Sequence, residues 1–261
     1  MITSLTLLIL SLVALYIGAG WLVQGSSALA LKAKISPLVV GLTIVAFGTS
    51  APELVVSLNA TLSGQGDIAI GNIVGSNIFN IGVILGVSAT ICPLQVKKQL
   101  LRIDIPVMLA ATVLFTILFW NGTLGRTEGL FFLTGIIIYT IFSLFYSRKH
   151  GTEGSSQELE EQPKHWAVDT LAIVGGLVVL VFASRLLVDN AVSIAKELGV
   201  SEAVIGLTIV AAGTSMPELA TSIVAAYKRK TDIAIGNIVG SNLFNIPVSY
   251  THLRAHETCA D

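Results

Sequence analysis

A 46-residue segment occurs twice in this sequence, and the duplication limits the possible folds more than any other feature. Residues 36–81 align without a gap with residues 201–246, and 30 of the 46 positions are identical. The two copies begin 165 residues apart. The chain is 53% hydrophobic and 12% charged, whereas a soluble domain carries roughly 25% charged residues. The duplication therefore lies within a polytopic membrane protein.

Apolar runs long enough to cross a bilayer recur along the chain. The N-terminal run lacks the positive region of a cleaved signal peptide, so we interpret it as the first span. Five spans fit within the offset between the copies, and an odd number of crossings gives the second copy the opposite orientation. The predicted fold is all-α, with two inverted repeats of five transmembrane helices. At about 20 apolar residues per span, helices are predicted over residues 5–23, 38–62, 70–91, 103–120, 130–145, 168–188 and 203–227, with an eighth beginning near Ile233.

Loop charges predict which side of the membrane each copy faces. The loop at residues 62–66, after the second predicted helix, has no cation, whereas the equivalent loop after the seventh contains Lys228, Arg229 and Lys230. Identical motifs with opposite loop charge are expected of opposite orientations, because cytoplasmic loops carry the excess of Lys and Arg. The N-terminus is therefore predicted outside and the hydrophilic linker of residues 148–165 in the cytoplasm.

The sequence divides into four segments. Residues 1–147 form the first repeat and residues 166–246 a partial second repeat, joined by the linker. Within the remaining residues, 247–261, the stretch 248–258 resembles one reading frame of a transposon-end sequencing adapter. We therefore expect residues 247–261 not to be native and the second repeat to be truncated within its third helix.

Each copy contains the motif Gly-Thr-Ser-x-Pro-Glu, at residues 48–53 and 213–218. Proline has no N–H, so Pro52 leaves the carbonyl of Gly48 without its helical partner. In a bilayer, such carbonyls are tolerated where they line a cavity or meet another partner. Carbonyl, hydroxyl and carboxylate oxygens are the ligands that hard cations require. A carboxylate at mid-membrane costs at least about 2.5–3.5 kcal/mol, which favours a functional role for both glutamates.

The third helix of each copy carries a polar stripe. Asn72, Ser76 and Asn80 are spaced i, i+4, i+8 and so share one helix face. Amides and small residues also hold membrane helices together, and for the first asparagine of each stripe both roles stay open. For the serine and the last asparagine we favour cation ligation. The equivalent stripe in the second copy is Asn237, Ser241 and Asn245.

The two duplicated motifs, Gly-Thr-Ser-x-Pro-Glu and Gly-Ser-Asn-x-Phe-Asn (residues 75–80 and 240–245), resemble the α-repeats of the cation/Ca²⁺ antiporter superfamily, specifically its prokaryotic sodium/calcium exchanger branch. The resemblance covers residues 5–246. It implies ten helices in two inverted sets of five, with ion sites midway across a prokaryotic inner membrane. By the match, Glu53 and Glu218 are the principal Ca²⁺ ligands, shared with Na⁺. Further side-chain or backbone oxygens would come from Thr49, Thr214, Ser50, Ser215, Ser76 and Ser241, and carbonyl oxygens from Ala46 and Ala211.

One position departs from the family pattern. Some exchangers of this branch have an aspartate where this chain has Asn245, and here both copies end in asparagine. The core of the pocket therefore has two formal negative charges and not three. This disfavours a proton-linked role at Asn245 and leaves the Na⁺ stoichiometry open.

These features predict a secondary-active antiporter that exchanges Na⁺ for Ca²⁺ by alternating access. A dianionic pocket can be balanced by one Ca²⁺ or by several Na⁺, but not by both at once. Coupling to H⁺ or K⁺ and a cation channel are the alternatives. The chain has no nucleophile–base constellation and no nucleotide motif, so an enzyme is disfavoured. A net charge of −1 argues against a nucleic-acid partner. We expect no cofactor and a monomer.

Overall fold

The structure, a computed structural model, describes residues 2–120, 122, 125–150 and 165–248. Within these ranges all regular secondary structure is helical, which confirms the predicted all-α class. Most of the predicted linker, at 151–164, and most of the predicted non-native tail, at 249–261, lie outside the described residues.

Ten helices, several of them with a π-helical turn, make up the described part. Five are long and apolar enough to cross a bilayer, or up to seven spans if each of two bent pairs counts as one. The bent pairs are α2 with α3 and α8 with α9. The helices are α1 (Ile2–Ala33), α2 (Pro37–Thr49), α3 (Ala51–Leu62), α4 (Gly66–Ile91), α5 (Leu100–Leu118), α6 (Arg126–His150), α7 (Trp166–Glu197), α8 (the consecutive pieces Glu202–Ile205, Gly206–Val210 and Ala211–Thr214), α9 (Met216–Tyr227) and α10 (Thr231–Val248).

Three predicted boundaries are wrong because helices continue where apolar runs stop. The first span was predicted to end at residue 23 and the sixth at residue 188, but α1 reaches Ala33 and α7 reaches Glu197. The predicted linker begins inside α6, which ends at His150. Hydropathy marks the part of a helix in the bilayer core, whereas backbone hydrogen bonding does not stop at the membrane surface.

The predicted helices at residues 38–62 and 203–227 are each broken inside the Gly-Thr-Ser-x-Pro-Glu motif. The first is bent by 45° at Ser50 and the second by 59° at Ser215. In both copies the proline lies in the first turn of the helix after the break, where its missing N–H is not needed. The spans were predicted as continuous helices, and the structure shows that the proline, predicted only to free a glycine carbonyl, stands at a break in each.

The 165-residue offset also relates the turns of the chain. Lys34 and Gly199, which follow α1 and α7, both have left-handed backbone angles, with φ of 55° and 79°. Gly64 and Arg229 form a second such pair, with φ of 73° and 57°. Left-handed residues commonly end helices. The structural repeat therefore begins before residue 36 and includes the turn at Lys34 that follows α1.

Helices α1 and α7 cross closely at glycine residues. A methyl group added at Gly176 would lie 2.7 Å from the carbonyl oxygen of Gly18, and one added at Gly25 would lie 2.8 Å from that of Asp169. Small residues let membrane helices approach to backbone contact. Large apolar side chains such as Leu171 and Phe182 are exposed on the outer surface, as expected for a protein surrounded by lipid.

An ion pair joins the end of α1 to the start of α7. Lys32 pairs with Asp169, and the two side chains are only 10% and 6% exposed. We expect Lys32→Met to lower the free energy of unfolding by about 3 kcal/mol, because it leaves a buried carboxylate without a cation. Thermal unfolding in detergent measures the change. The charge exchange Lys32→Asp with Asp169→Lys should recover most of it, and Lys149→Met, at an exposed lysine, should have no effect.

Candidate cation site

The two broken motifs face each other and exchange hydrogen bonds. Ser50 Oγ donates to Glu218 Oε1 at 2.8 Å, and Ser215 Oγ donates to Glu53 Oε1 at 2.9 Å. Each serine of one copy thus holds the glutamate of the other. Both glutamates are buried, since Glu53 is 3% exposed and Glu218 is 1% exposed. The two interactions are related by the 165-residue offset, so each copy contacts the other through equivalent residues.

The helix breaks explain how each carboxylate can be buried in the protein. Glu53 is in the first turn of α3, and Glu218 is in the first turn of α9. The N-terminus of a helix carries a partial positive charge and free N–H groups, which stabilise an anion. Each break, followed by its proline, therefore creates one helix N-terminus in the interior of the protein, and each of these N-termini has its own buried glutamate.

The first asparagine of each polar stripe joins two helices of its own copy, α4 to α3 in the first copy and α10 to α9 in the second. Asn72 Nδ2 donates to the backbone oxygen of Glu53 at 3.1 Å and to Ser57 Oγ at 2.9 Å. Asn237 repeats this with the backbone oxygen of Glu218 and with Ser222 Oγ, at 3.3 and 3.0 Å. In this structure both amides make helix-positioning contacts, the alternative that the sequence had left open.

Sequence reasoning missed these two serine partners. Ser57 and Ser222 each lie four residues after the glutamate of their copy, one helical turn further along the same face. They are identical in the two copies, within a stretch where most other residues differ. That local identity is the signal that could have found them.

A cluster of amides joins α4 to α10. Asn80 Nδ2 donates to Asn242 Oδ1 at 2.9 Å, and Asn245 Nδ2 donates to Ser76 Oγ and Asn77 Oδ1, both at 3.0 Å. The side chains of Asn77 and Asn242 also donate to each other's backbone oxygens at 3.4 Å. These two middle asparagines of Gly-Ser-Asn-x-Phe-Asn were not predicted, although both copies contain them.

Four side-chain oxygens of the predicted ligand set are buried and have no hydrogen-bond partner. They are Glu53 Oε2, Glu218 Oε2, Asn80 Oδ1 and Ser241 Oγ. Each glutamate is held by a serine of the opposite copy, so the two carboxylates lie where the motifs meet. Buried polar atoms are nearly always paired. Free oxygens concentrated among facing residues indicate a place where a cation would complete the bonding.

The remaining predicted ligands differ in how well they are enclosed. Ala46 and Thr49 are buried, whereas their counterparts Ala211 and Thr214 are exposed and half-buried. Both threonine hydroxyls donate to the carbonyl of the alanine in their own copy, at 3.3 and 3.2 Å. Thr49 additionally contacts Asn237 Oδ1 at 3.0 Å. In the described residues, the alanine and the threonine of the first copy are therefore more enclosed than those of the second.

The charge of the site restricts what it can bind. In the part of the chain that the structure describes, neither glutamate has a lysine or arginine partner. Among the described residues, no three His, Cys, Asp or Glu side chains lie close enough together to hold a metal ion. Two carboxylates with neutral hydroxyl, amide and carbonyl oxygens suit hard cations such as Ca²⁺ and Na⁺, and they lack the nitrogen and sulfur ligands of zinc sites.

Comparison with known proteins gives one consistent family. The family model described as "Sodium/calcium exchanger protein" matches residues 3–145 and 168–249. "Inner membrane protein YrbG" of Escherichia coli strain K12 is 39% identical over 254 residues, covering 95% of this chain and 78% of that protein. "Sodium/calcium exchanger MaX1" of Methanosarcina acetivorans is 32% identical over 277 residues, covering 92% and 79%.

A solved structure has the same fold. The sodium-calcium exchanger NCX_Mj, soaked with 10 mM Na⁺ and no Ca²⁺, superposes with a TM-score of 0.83 and is 33% identical. The match covers 97% of this chain and 83% of that one. At this identity and coverage the arrangement of helices is shared along nearly the whole chain.

Proposed function

The chain belongs to the sodium/calcium exchanger family of multi-pass membrane cation antiporters, and from that premise we propose that it exchanges Na⁺ for Ca²⁺ across a prokaryotic inner membrane. One observation carries the proposal. The free Oε2 atoms of Glu53 and Glu218 are buried together in the motifs of the two copies. Two carboxylates are balanced by one Ca²⁺ or by several Na⁺, so the ions exclude each other.

We assign the ligands from the same geometry. Glu53 and Glu218 are the charged ligands, and Ser241 and Asn80 contribute free neutral oxygens. The other members contribute hydroxyl or amide oxygens after small changes of rotamer or, in the case of the two alanines, backbone carbonyl oxygens. These are Thr49, Thr214, Ser50, Ser215, Ser76, Asn245, Ala46 and Ala211.

Alternating access is supported by unequal packing of equivalent glycines. A methyl group at Gly236 or Gly240 of α10 would lie 2.5 Å from a backbone oxygen of α2. At their counterparts Gly71 and Gly75 of α4, no atom of another helix lies within 4 Å of that position among the described residues. Inverted repeats open a central site to either side by exchanging the packing of the two halves. We propose inverted repeats of this kind, and the loop charges favour an N-terminus outside and a cytoplasmic linker. We further propose that one protomer is sufficient for transport.

The truncation belongs to this proposal as well. A second repeat equal to the first would continue beyond α10 with two more helices. Residues 247–261 would then stand in place of native sequence, and the complete gene would be needed for transport assays. Sequencing the native locus tests this, because a genomic reading frame that contains residues 247–261 would contradict it.

Gradients imposed one at a time identify the coupling ion. We expect vesicles that contain the full-length protein to take up ⁴⁵Ca²⁺ when loaded with Na⁺, with no uptake driven by K⁺ or by a pH gradient in Na⁺-free buffer. Vesicles with the Glu53→Gln/Glu218→Gln protein are the background. Uptake driven only by the pH gradient would assign H⁺ as the coupling ion. Ca²⁺ current without any counter-ion would indicate a channel.

A further inference from the structure

Helix α7 contacts the helix breaks of both copies. A methyl group added at Gly48 would lie 2.6 Å from Leu177 Cδ1, and one added at Gly213 would lie 2.1 Å from Val188 Cγ2. Eleven residues separate these two contacts along α7, about 16 Å of helix. One rigid helix therefore touches the site from both copies, and a shift of α7 along its axis alters both contacts together.

At the second break, α7 also forms a hydrogen bond with the site. Ser184 Oγ donates to the carbonyl oxygen of Gly213 at 2.7 Å, and Ser184 is 3% exposed. This is the carbonyl that Pro217 deprives of its helical N–H partner. Ser184 is one turn before Val188, so the same face of α7 makes the close contact and the bond. The absence of a side chain at Gly213 lets the helices approach closely enough for both.

The first copy has no equivalent donor. The residue 165 positions before Ser184 is Ala19 of α1, which is buried. The offset holds in this region, since the left-handed residues after α1 and α7, Lys34 and Gly199, are also 165 apart. Alanine cannot donate a hydrogen bond, so the carbonyl of Gly48 could not receive from α1 the bond that Gly213 receives from α7.

We propose that Ser184 is a one-sided latch, a positioning residue that stabilises the present conformation of the exchanger relative to the oppositely facing one. The inference rests on the proposed alternating-access function. If the two copies exchange their packing, α1 takes the position of α7, and Ala19 then faces Gly48 where Ser184 now faces Gly213. A hydrogen bond present in one conformation and absent from its mirror biases the equilibrium between them.

The bias has a measurable consequence for ion affinity at the two membrane faces. Apparent affinity at each face is the intrinsic affinity reduced by the fraction of molecules open to that face. Loss of one neutral hydrogen bond should change the ratio of the two conformations by about two- to tenfold. The ratio of the half-saturating Ca²⁺ concentrations at the two faces should change by the same factor.

The experiment compares right-side-out and inside-out vesicles that contain the full-length protein. Na⁺-dependent ⁴⁵Ca²⁺ flux gives the half-saturating concentration at each face. Ser184→Ala removes the bond from the present conformation, and Ala19→Ser supplies an equivalent donor to the opposite one. Both variants should shift the ratio in the same direction, by about two- to tenfold each, and together the shifts should add.

Ser27→Ala is the matched control. Ser27 is a buried serine of α1 whose hydroxyl bonds the carbonyl of Val23 within its own helix, so its removal should leave the ratio unchanged. A shift in either Ser184→Ala or Ala19→Ser without one in Ser27→Ala supports the latch, even if the other variant fails to fold. Flux with an unchanged ratio in both overturns it, as does an equal shift in the control. Absence of Na⁺-dependent flux in the wild type would instead overturn the proposed function.

Discussion

We expect Glu53→Gln and Glu218→Gln, each in the full-length protein, to lose Na⁺-driven Ca²⁺ uptake. Glutamine keeps the size of the side chain and can still accept the hydrogen bond from Ser215 or Ser50. What it removes is one of two negative charges. At 4 Å and an effective dielectric constant of 20, a unit charge interacts with another by about 4 kcal/mol. For each positive charge of the bound ion this corresponds to an affinity loss of about a thousandfold.

The measurement is ⁴⁵Ca²⁺ uptake into Na⁺-loaded vesicles, with protein amount and orientation determined for each variant. Glu197→Gln is the matched control, because it makes the same chemical change at an exposed residue at the end of α7. Uptake at the wild-type rate in both site variants would refute the assignment of the ligands. Loss in only one of them would mean that the two copies do not contribute equally.

The duplication predicted much of the site because it tied two local patterns together. A single Gly-Thr-Ser-x-Pro-Glu motif predicts only a kinked helix with a polar lining. Two copies predict a pair of motifs that face each other, and Ser50 and Ser215 do reach across to the opposite glutamates. Which oxygen meets which, however, depends on the crossing of helices distant in sequence. No local pattern encodes that geometry.

The sequence could not distinguish residues that are identical in both copies but lie in different surroundings. Ala46 and Ala211 occupy equivalent positions, yet one is buried and the other is exposed. Ser184 and Ala19 are the opposite case, because they occupy equivalent positions but differ in residue type. Both lie in apolar helices, and no sequence pattern singled them out. The repeat thus predicts which residues are equivalent, whereas the differences in their surroundings depend on how distant helices pack around each copy.

The equivalent glycines of α10 and α4 offer a test of that asymmetry. We expect Gly240→Ala to destabilise the protein by about 1–3 kcal/mol or more, as overpacking does. The new methyl group would lie 2.5 Å from the backbone oxygen of Leu42 and 2.6 Å from Ala46 Cβ. Backbone atoms cannot rotate away, so α10 has to move away from α2. Ser241 is the next residue, and the displacement should weaken Ca²⁺ binding as well.

Gly75→Ala is the counterpart 165 residues earlier and should have the opposite sign. Among the described residues, no atom outside its own helix lies within 4 Å of the added methyl group, and alanine favours a helix over glycine by roughly 0.8–1.0 kcal/mol. Thermal unfolding in detergent should therefore separate the two variants by about 2–4 kcal/mol. Equal destabilisation by both would mean that α4 is packed as tightly as α10. The unequal packing would then no longer support alternating access, although the cation site formed by Glu53 and Glu218 would be unaffected.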